Sequence, residues 1–265
     1  MLRIDDHDRV RLLTLDRPEA LNAFSNALYR AVGDALVDAA ASDDIAVVVI
    51  TGTGRAFTAG QDLAEMARIG DARAGSRGAG DSAAAHGFGP FMDTLSTFPK
   101  PLLAAVNGLG VGIGLTMLAH CDLVLVADHA RLRAPFVSLG VVPEAASSAL
   151  LPAVVGWQAA AHALFTASWI DAEQAVALGI AWARYPGDKL LDETMELARS
   201  IAAMPIVSLV ATKELMRAAR GSMVADARRR EDVEFARLTS GPANREALAA
   251  FLEKREPDFT RLPPE

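Results

Sequence analysis

The stretch LGVVPEAASS, residues 139–148, sets one carboxylate, Glu144, among aliphatic and very small side chains. Two readings stand open. Pro143 suits the first position of a helix and an acid beside it favours the helix dipole, so Glu144 starts a helix. Alternatively it lies in an apolar pocket and carries protons as a base. Val141 and Val142 would disfavour its charge and raise its pKa, while a helix dipole would oppose that shift. Two glycine-bearing turns offer complementary groups. GRAFTAGQDLAEM (54–66) has Asp62 and Glu65 at capping-box spacing, which predicts a helix from about Asp62 and leaves amides near Ala59, Gly60 and Gln61 unpaired. NGLGVGIGLTM (107–117) repeats the arrangement, with glycines that admit a ligand to the backbone and leave the Ile113 N–H free. Each stretch alone is an ordinary capped turn. Together, two amides from two strand-to-helix turns can hold a developing oxyanion. A dinucleotide fingerprint is excluded, because the G-x-G-x-x-G spacing needs glycine where Leu115 stands.

The elements that position these groups read as α/β. VRLLTLDRP (10–18) and IAVVVITGTG (45–54) are short apolar runs ended by turn residues, as buried strands are. Between them, residues 25–42 put Leu28, Val32, Ala35, Leu36 and Ala39 on one helical face and Arg30, Asp34 and Asp38 off it. Strand, helix, strand implies a parallel pair with a right-handed crossover. The unit recurs with PLLAAVNG (101–108) as a strand, LGVGIG as a turn, LTMLAHC (115–121) as a short helix and DLVLVAD (122–128) as a strand. From SALLPAVVG onward the chain reads as helical. Residues 68–89, rich in Gly, Ala and Ser, form either a spacer or a flap over a pocket.

The chain has 265 residues, of which 51% are hydrophobic and 22% charged, with net charge −7. That is enough to fold without staples, and the negative field argues against nucleic acid. A lone cysteine, Cys121, forbids an internal disulfide and points to a reducing compartment, the cytoplasm by default. The N-terminus lacks a secretory apolar core, and no run is long and apolar enough for a membrane span. His120 and His129 show no metal-ligand spacing, so no metal is expected. Asp122 and Asp128 read as structural, Arg131 and Arg133 as alternating on a half-exposed strand, and Lys213 as on a solvated helix face. Trp157, Trp169 and Trp182 read as core or interface anchors.

RPEALNAF, GRAFTAGQDL, AAVNGLGVGIGLTMLAHCD, APFVSLGVVPEAASS and AFLEKREPDF follow the order and spacing of the crotonase (enoyl-CoA hydratase/isomerase) superfamily, which this chain resembles over nearly its whole length. The resemblance implies an α/β fold: a spiral of ββα turns with two stacked sheets, residues 1–200, and a helical C-terminal region, 201–265, for a homotrimer or dimer of trimers. It implies an acyl-CoA substrate, with no separate cofactor, whose thioester oxygen is held by the Gln61 and Ile113 amides. Glu19, Ala20, Leu21, Ala59, Asp62, Leu63 and Gly112 are then expected to line the ligand, with Phe251 and Lys254 of a neighbouring subunit at the nucleotide end. Glu19 stands where the family often has a basic residue. Thr116 and Phe136 occupy the positions of the two water-activating glutamates of typical hydratases, and neither ionises near neutral pH. Thr116 is then left to bond its own helical turn or a ligand, and Phe136 to line the acyl pocket or the core. PE followed by small residues and SS resembles the peroxisomal-type Δ3,Δ2-enoyl-CoA isomerases, in which the glutamate at position 144 is the base. A weak hydratase and a non-catalytic acyl-CoA binding protein are the alternatives.

Overall fold

The structure, a computed structural model, describes residues 1–62, 65 and 87–262. Strand β1 (Leu2–His7) pairs antiparallel with β2 (Val10–Leu15) through a tight turn at Asp8 and Arg9, both left-handed. Almost all of β1 is exposed, so it lacks the apolar signal that marks the other strands. Ser25 caps α1 (Asn26–Ala41) by accepting from the Leu28 N–H, and the face expected to be buried is buried.

Three strand-strand-helix units follow in a spiral. Long strands β3 (Val47–Gly52), β5 (Leu102–Val106) and β7 (Leu123–Ala127) each lead into a short one, β4 (Ala56–Thr58), β6 (Leu109–Val111) and β8 (Arg131–Arg133). The long strands join one sheet in the order β1-β2-β3-β5-β7-β10, the short ones a second, β4-β6-β8-β9. Here β9 is Trp169–Asp171 and β10 is Ala183–Tyr185. From β2 to β10 the first sheet is parallel and its central strands are buried throughout, which explains their unbroken apolar sequence. LGVGIG therefore contains a strand of the second sheet as well as a turn. The C-terminal half is helical but interrupted by β9 and β10: α4 (Ser147–Val155), α5 (Trp157–Thr166), α6 (Ala172–Ala177), α7 (Leu190–Ala202), α8 (Ile206–Ala218), α9 (Gly221–Leu238) and α10 (Pro242–Glu253). Residue 200 lies inside α7, a helix packed on the first sheet.

Helix α2 (Phe88–Thr97) packs on α1 and takes up the end of the glycine-rich segment; residues 68–86 of that segment lie outside the described residues. Lys213 corrects the expectation of a solvated position. It is 6% exposed, and its ammonium donates to Asp122 at 2.7 Å and to the Lys100 carbonyl at 2.7 Å, tying α8 to the first sheet. Trp157 and Trp182 are 73% and 69% exposed and so are not core residues, whereas Trp169 lies under Arg131 and Arg133. Cys121 is half-buried, and burial pushes its thiol up to about 12, which leaves it inert. No single helix among the described residues is long and apolar enough to cross a membrane.

Candidate active site

Gly60 and Gly112 are where the two sheets' connections touch. Gly60 has φ +94°, and a Cβ there would lie 2.8 Å from the Val111 carbonyl oxygen and 3.9 Å from the Gly112 Cα. Gly112, at φ +56°, precedes α3 (Ile113–Thr116). Only glycine permits this approach with positive φ. Gln61 and Ile113, the residues that follow the two glycines, are thereby brought beside one another. Neither amide N–H has a hydrogen-bond partner among the described residues. The sequence expectation is corrected for their neighbours: the Ala59 N–H donates to the Leu21 carbonyl at 2.9 Å and the Gly60 N–H to the Thr58 hydroxyl at 3.1 Å. One free donor per turn remains.

The first turn is braced from the chain's beginning. Glu19 and Ala20 lie in a 3-10 turn ended by left-handed Leu21. Buried Asn22 donates to the Thr53 and Ala56 carbonyls, and Arg17 binds Asp62 at 3.2 Å. Ala20, Leu21, Ala59 and Asp62 therefore form one framework, with Glu19 exposed beside it. Asp62 caps the Glu65 N–H at 3.2 Å, but the Glu65 carboxylate binds the Asn26 N–H instead of closing the capping box. Leu63 lies outside the described residues.

Glu144 does not start a helix. Helix α4 begins at Ser147, three residues later, after left-handed Ala145 (φ 61°) and Ala146 (φ 59°). Two consecutive left-handed residues cannot propagate a helix from Pro143, which overturns the reading of Pro143 as a first helical residue. The Glu144 carbonyl accepts from the Ser147 N–H at 3.0 Å and hydroxyl at 2.6 Å, but its half-buried carboxylate has no hydrogen-bond partner among the described residues. Burial, then the charges of Glu231 and Asp232, push its pKa up to about 8. The turn is tied to the Ile113 segment through His120, whose Nε2 is 2.8 Å from the Ala145 carbonyl and which ends the two-turn helical stretch opened by Ile113.

Thr116 is 3% exposed, and its hydroxyl has no partner among the described residues, so it does not satisfy its own helical turn as the residue type suggests. Phe136 is 4% exposed and packs in the main core. Neither offers a carboxylate. Phe251 and Lys254 are exposed at the end of α10. Two residues escaped the sequence reading. Tyr29 is fully buried among Phe24, Phe88 and Phe91 with its hydroxyl unpartnered among the described residues, and burial followed by the charges of Glu144 and Glu65 holds its proton on. It sits on the apolar face of α1, where tyrosine reads as packing. Glu231, on α9, supplies the acid that α4 lacks: it accepts from the Ala146 N–H at 2.6 Å and the Ser148 N–H at 2.8 Å. Its only sequence signal is its position four residues after Ala227, on the buried side of α9.

A family model for enoyl-CoA hydratase/isomerase matches residues 5–262. The chain is 34% identical over 264 residues to a 2,3-dehydroadipyl-CoA hydratase of Escherichia coli, covering 97% of this chain and 98% of that one. It is 33% identical to a 1,2-epoxyphenylacetyl-CoA isomerase of the same organism, covering 95% of each. An enoyl-CoA hydratase/isomerase structure from Pseudoalteromonas atlantica superposes with a TM-score of 0.89 at 35% identity, covering 98% of this chain and 99% of that one. The fold of paired strands and helices, the two glycine turns and these matches over nearly the full length agree: the chain belongs to the enoyl-CoA hydratase/isomerase family of enzymes.

Proposed function

We propose that this protein is a Δ3,Δ2-enoyl-CoA isomerase acting on an acyl-CoA thioester, with Glu144 as its acid and base. The observation that carries the reading is a carboxylate with a raised pKa and no hydrogen-bond partner among the described residues, on a turn that His120 ties to the helical segment opened by Ile113, where Thr116 and Phe136 leave no pair of glutamates to activate water. Glu144 removes a proton from C2 of the 3-enoyl thioester. The C–H electron pair forms a dienolate, with negative charge on the thioester oxygen. The Gln61 and Ile113 amides bind that charge more strongly than the neutral carbonyl, so they lower the barrier. The protonated Glu144 then returns a proton to C4 and the double bond ends between C2 and C3. Atoms balance with one carboxylate and no added reagent.

Hydration is the second reading, favoured by the unpartnered Thr116 hydroxyl and by the hydratase named among the relatives. Turnover of a 3-enoyl-CoA in deuterated water separates the two. The isomerase reading expects 2-enoyl-CoA with deuterium at C2 or C4. A 3-hydroxyacyl product from a 2-enoyl-CoA, with the 3-enoyl-CoA left unchanged, would replace it with hydration, and tight thioester binding with neither substrate turned over would leave a binding protein. Gly60→Ala is expected to lower turnover about tenfold and stability by ~1–3 kcal/mol, because its Cβ would push the two clamp turns apart in a strained conformation. Steady-state kinetics and urea unfolding check both effects; a variant with unchanged kcat would remove the clamp from the mechanism.

A further inference from the structure

Glu231 stands in the helical region assigned from sequence to subunit contacts, yet it is 5% exposed and its carboxylate points into the protein. Its two oxygens take the N–H groups of Ala146 and Ser148, the orphan donors at the start of α4. Nothing local can cap them, since the N-cap residue is Ala146. The cap thus comes from a residue more than eighty positions downstream, and it falls on the turn that carries Glu144. The rest of that turn is equally constrained: Ser147 holds the Glu144 carbonyl and His120 the Ala145 carbonyl. The Glu144 carboxylate has no hydrogen-bond partner among the described residues.

We propose that Glu231 is a positioning residue for Glu144: from α9 it locks the turn that presents the base and sets a second negative charge beside it. This rests on the reading of Glu144 as the acid and base. The other charges around the turn are accounted for. Asp232 adds to the negative field from α9, and the charges of Glu144 and Glu65 both reach Tyr29 on α1. His120 adds no charge near neutral pH, because burial pushes it down to about 4. The cations nearest His120 are engaged elsewhere: Arg228 with Asp93, Lys213 with Asp122, and Arg220 with the Ala119 carbonyl. Burial pushes Glu231 itself up, and the bonds from Ser148 and Ala146 pull it back toward the ionised form.

Glu231→Gln and Glu231→Asp in the full chain test the proposal. Glutamine keeps one acceptor oxygen and loses the charge; aspartate keeps the charge and falls short of the amides. The readouts are the Glu144 carboxyl titration by 13C NMR, its signal identified by its loss in Glu144→Gln, and kcat and KM for a 3-enoyl-CoA across pH. Glu231→Gln is expected to move the Glu144 midpoint down by about one pH unit. Its kcat at the optimum should fall on the order of 10²-fold with KM within about twofold. Glu231→Asp is expected to lose kcat with the midpoint nearly in place. A wild-type midpoint or a wild-type kcat in a folded Glu231→Gln protein overturns the proposal. If the glutamine variant does not fold, wild-type kcat in Glu231→Asp overturns it. Should the wild type not isomerise, the titration alone still decides whether Glu231 governs Glu144.

Discussion

Glu144→Gln is expected to lower kcat for a 3-enoyl-CoA by about 10³-fold while a non-reacting acyl-CoA thioester binds within about threefold of wild type. The amide has nearly the shape of the carboxylate but cannot take the C2 proton, and among the described residues the other acids are engaged or turned away: Glu231 is occupied by two amides, Glu65 by the Asn26 N–H, and Asp232 is exposed, while Thr116 and Phe136 do not ionise. The wild-type pH profile belongs to the same prediction. With the Glu144 pKa pushed up to about 8, only roughly one molecule in ten carries the free base at pH 7. In kcat/KM the activity should therefore climb about tenfold from pH 7 and level off above 8. Stopped-flow or coupled assays on both proteins measure this, and a flat profile or an active variant would remove Glu144 from the chemistry.

The same substitution should make the protein more stable, increasingly so as pH rises. Below pH 4.5, the ordinary value, the Glu144 carboxyl is protonated in both the folded and the unfolded chain, so its ionisation has no effect on the balance. Between 4.5 and about 8 the unfolded chain releases the proton while the fold retains it, and the stability associated with this group is lost as pH rises through that window. Above 8 the loss is complete. Glutamine carries no such penalty, so Glu144→Gln should match wild type near pH 4 and exceed it by about 2–4 kcal/mol near pH 9. Thermal melts at the two pH values read the difference as on the order of 5–10 °C. A gain that does not vary with pH would mean that Glu144 is not a dehydrated carboxyl.

The fold was legible where burial is two-sided or periodic. β2, β3, β5 and β7 show as apolar runs, and α1 as a face with a serine cap, because those positions have one environment each. The short strands β4, β6 and β8 were hidden, since three residues hold no period and β6 is made partly of glycine. The clamp was legible as two glycine turns, although it took the fold to show that the Ala59 and Gly60 amides are already used. Glu144 stands out as a lone acid with two open readings, of which the helix start fails: PE looks like a helix start because the left-handed alanines that prevent it carry no sign in their residue type. Glu231 and Tyr29 were missed because each acts across a long sequence separation, and a helical position does not reveal what its side chain meets from another helix.

The left-handed alanine pair has a consequence for how the base is held. Each alanine in that conformation costs about 1–2 kcal/mol, a penalty that glycine would avoid. Glycine would also give the free chain, and the native turn, many more backbone states. With alanine at 145 and 146, buried at 3% and 0% exposure, the turn has almost nowhere to go once His120 and Glu231 have seized it. The carboxylate is thus mounted like a tooth on a stiff jaw, and the reach from C2 to C4 that the proposed isomerisation asks of it has to come from rotation about its own side-chain bonds.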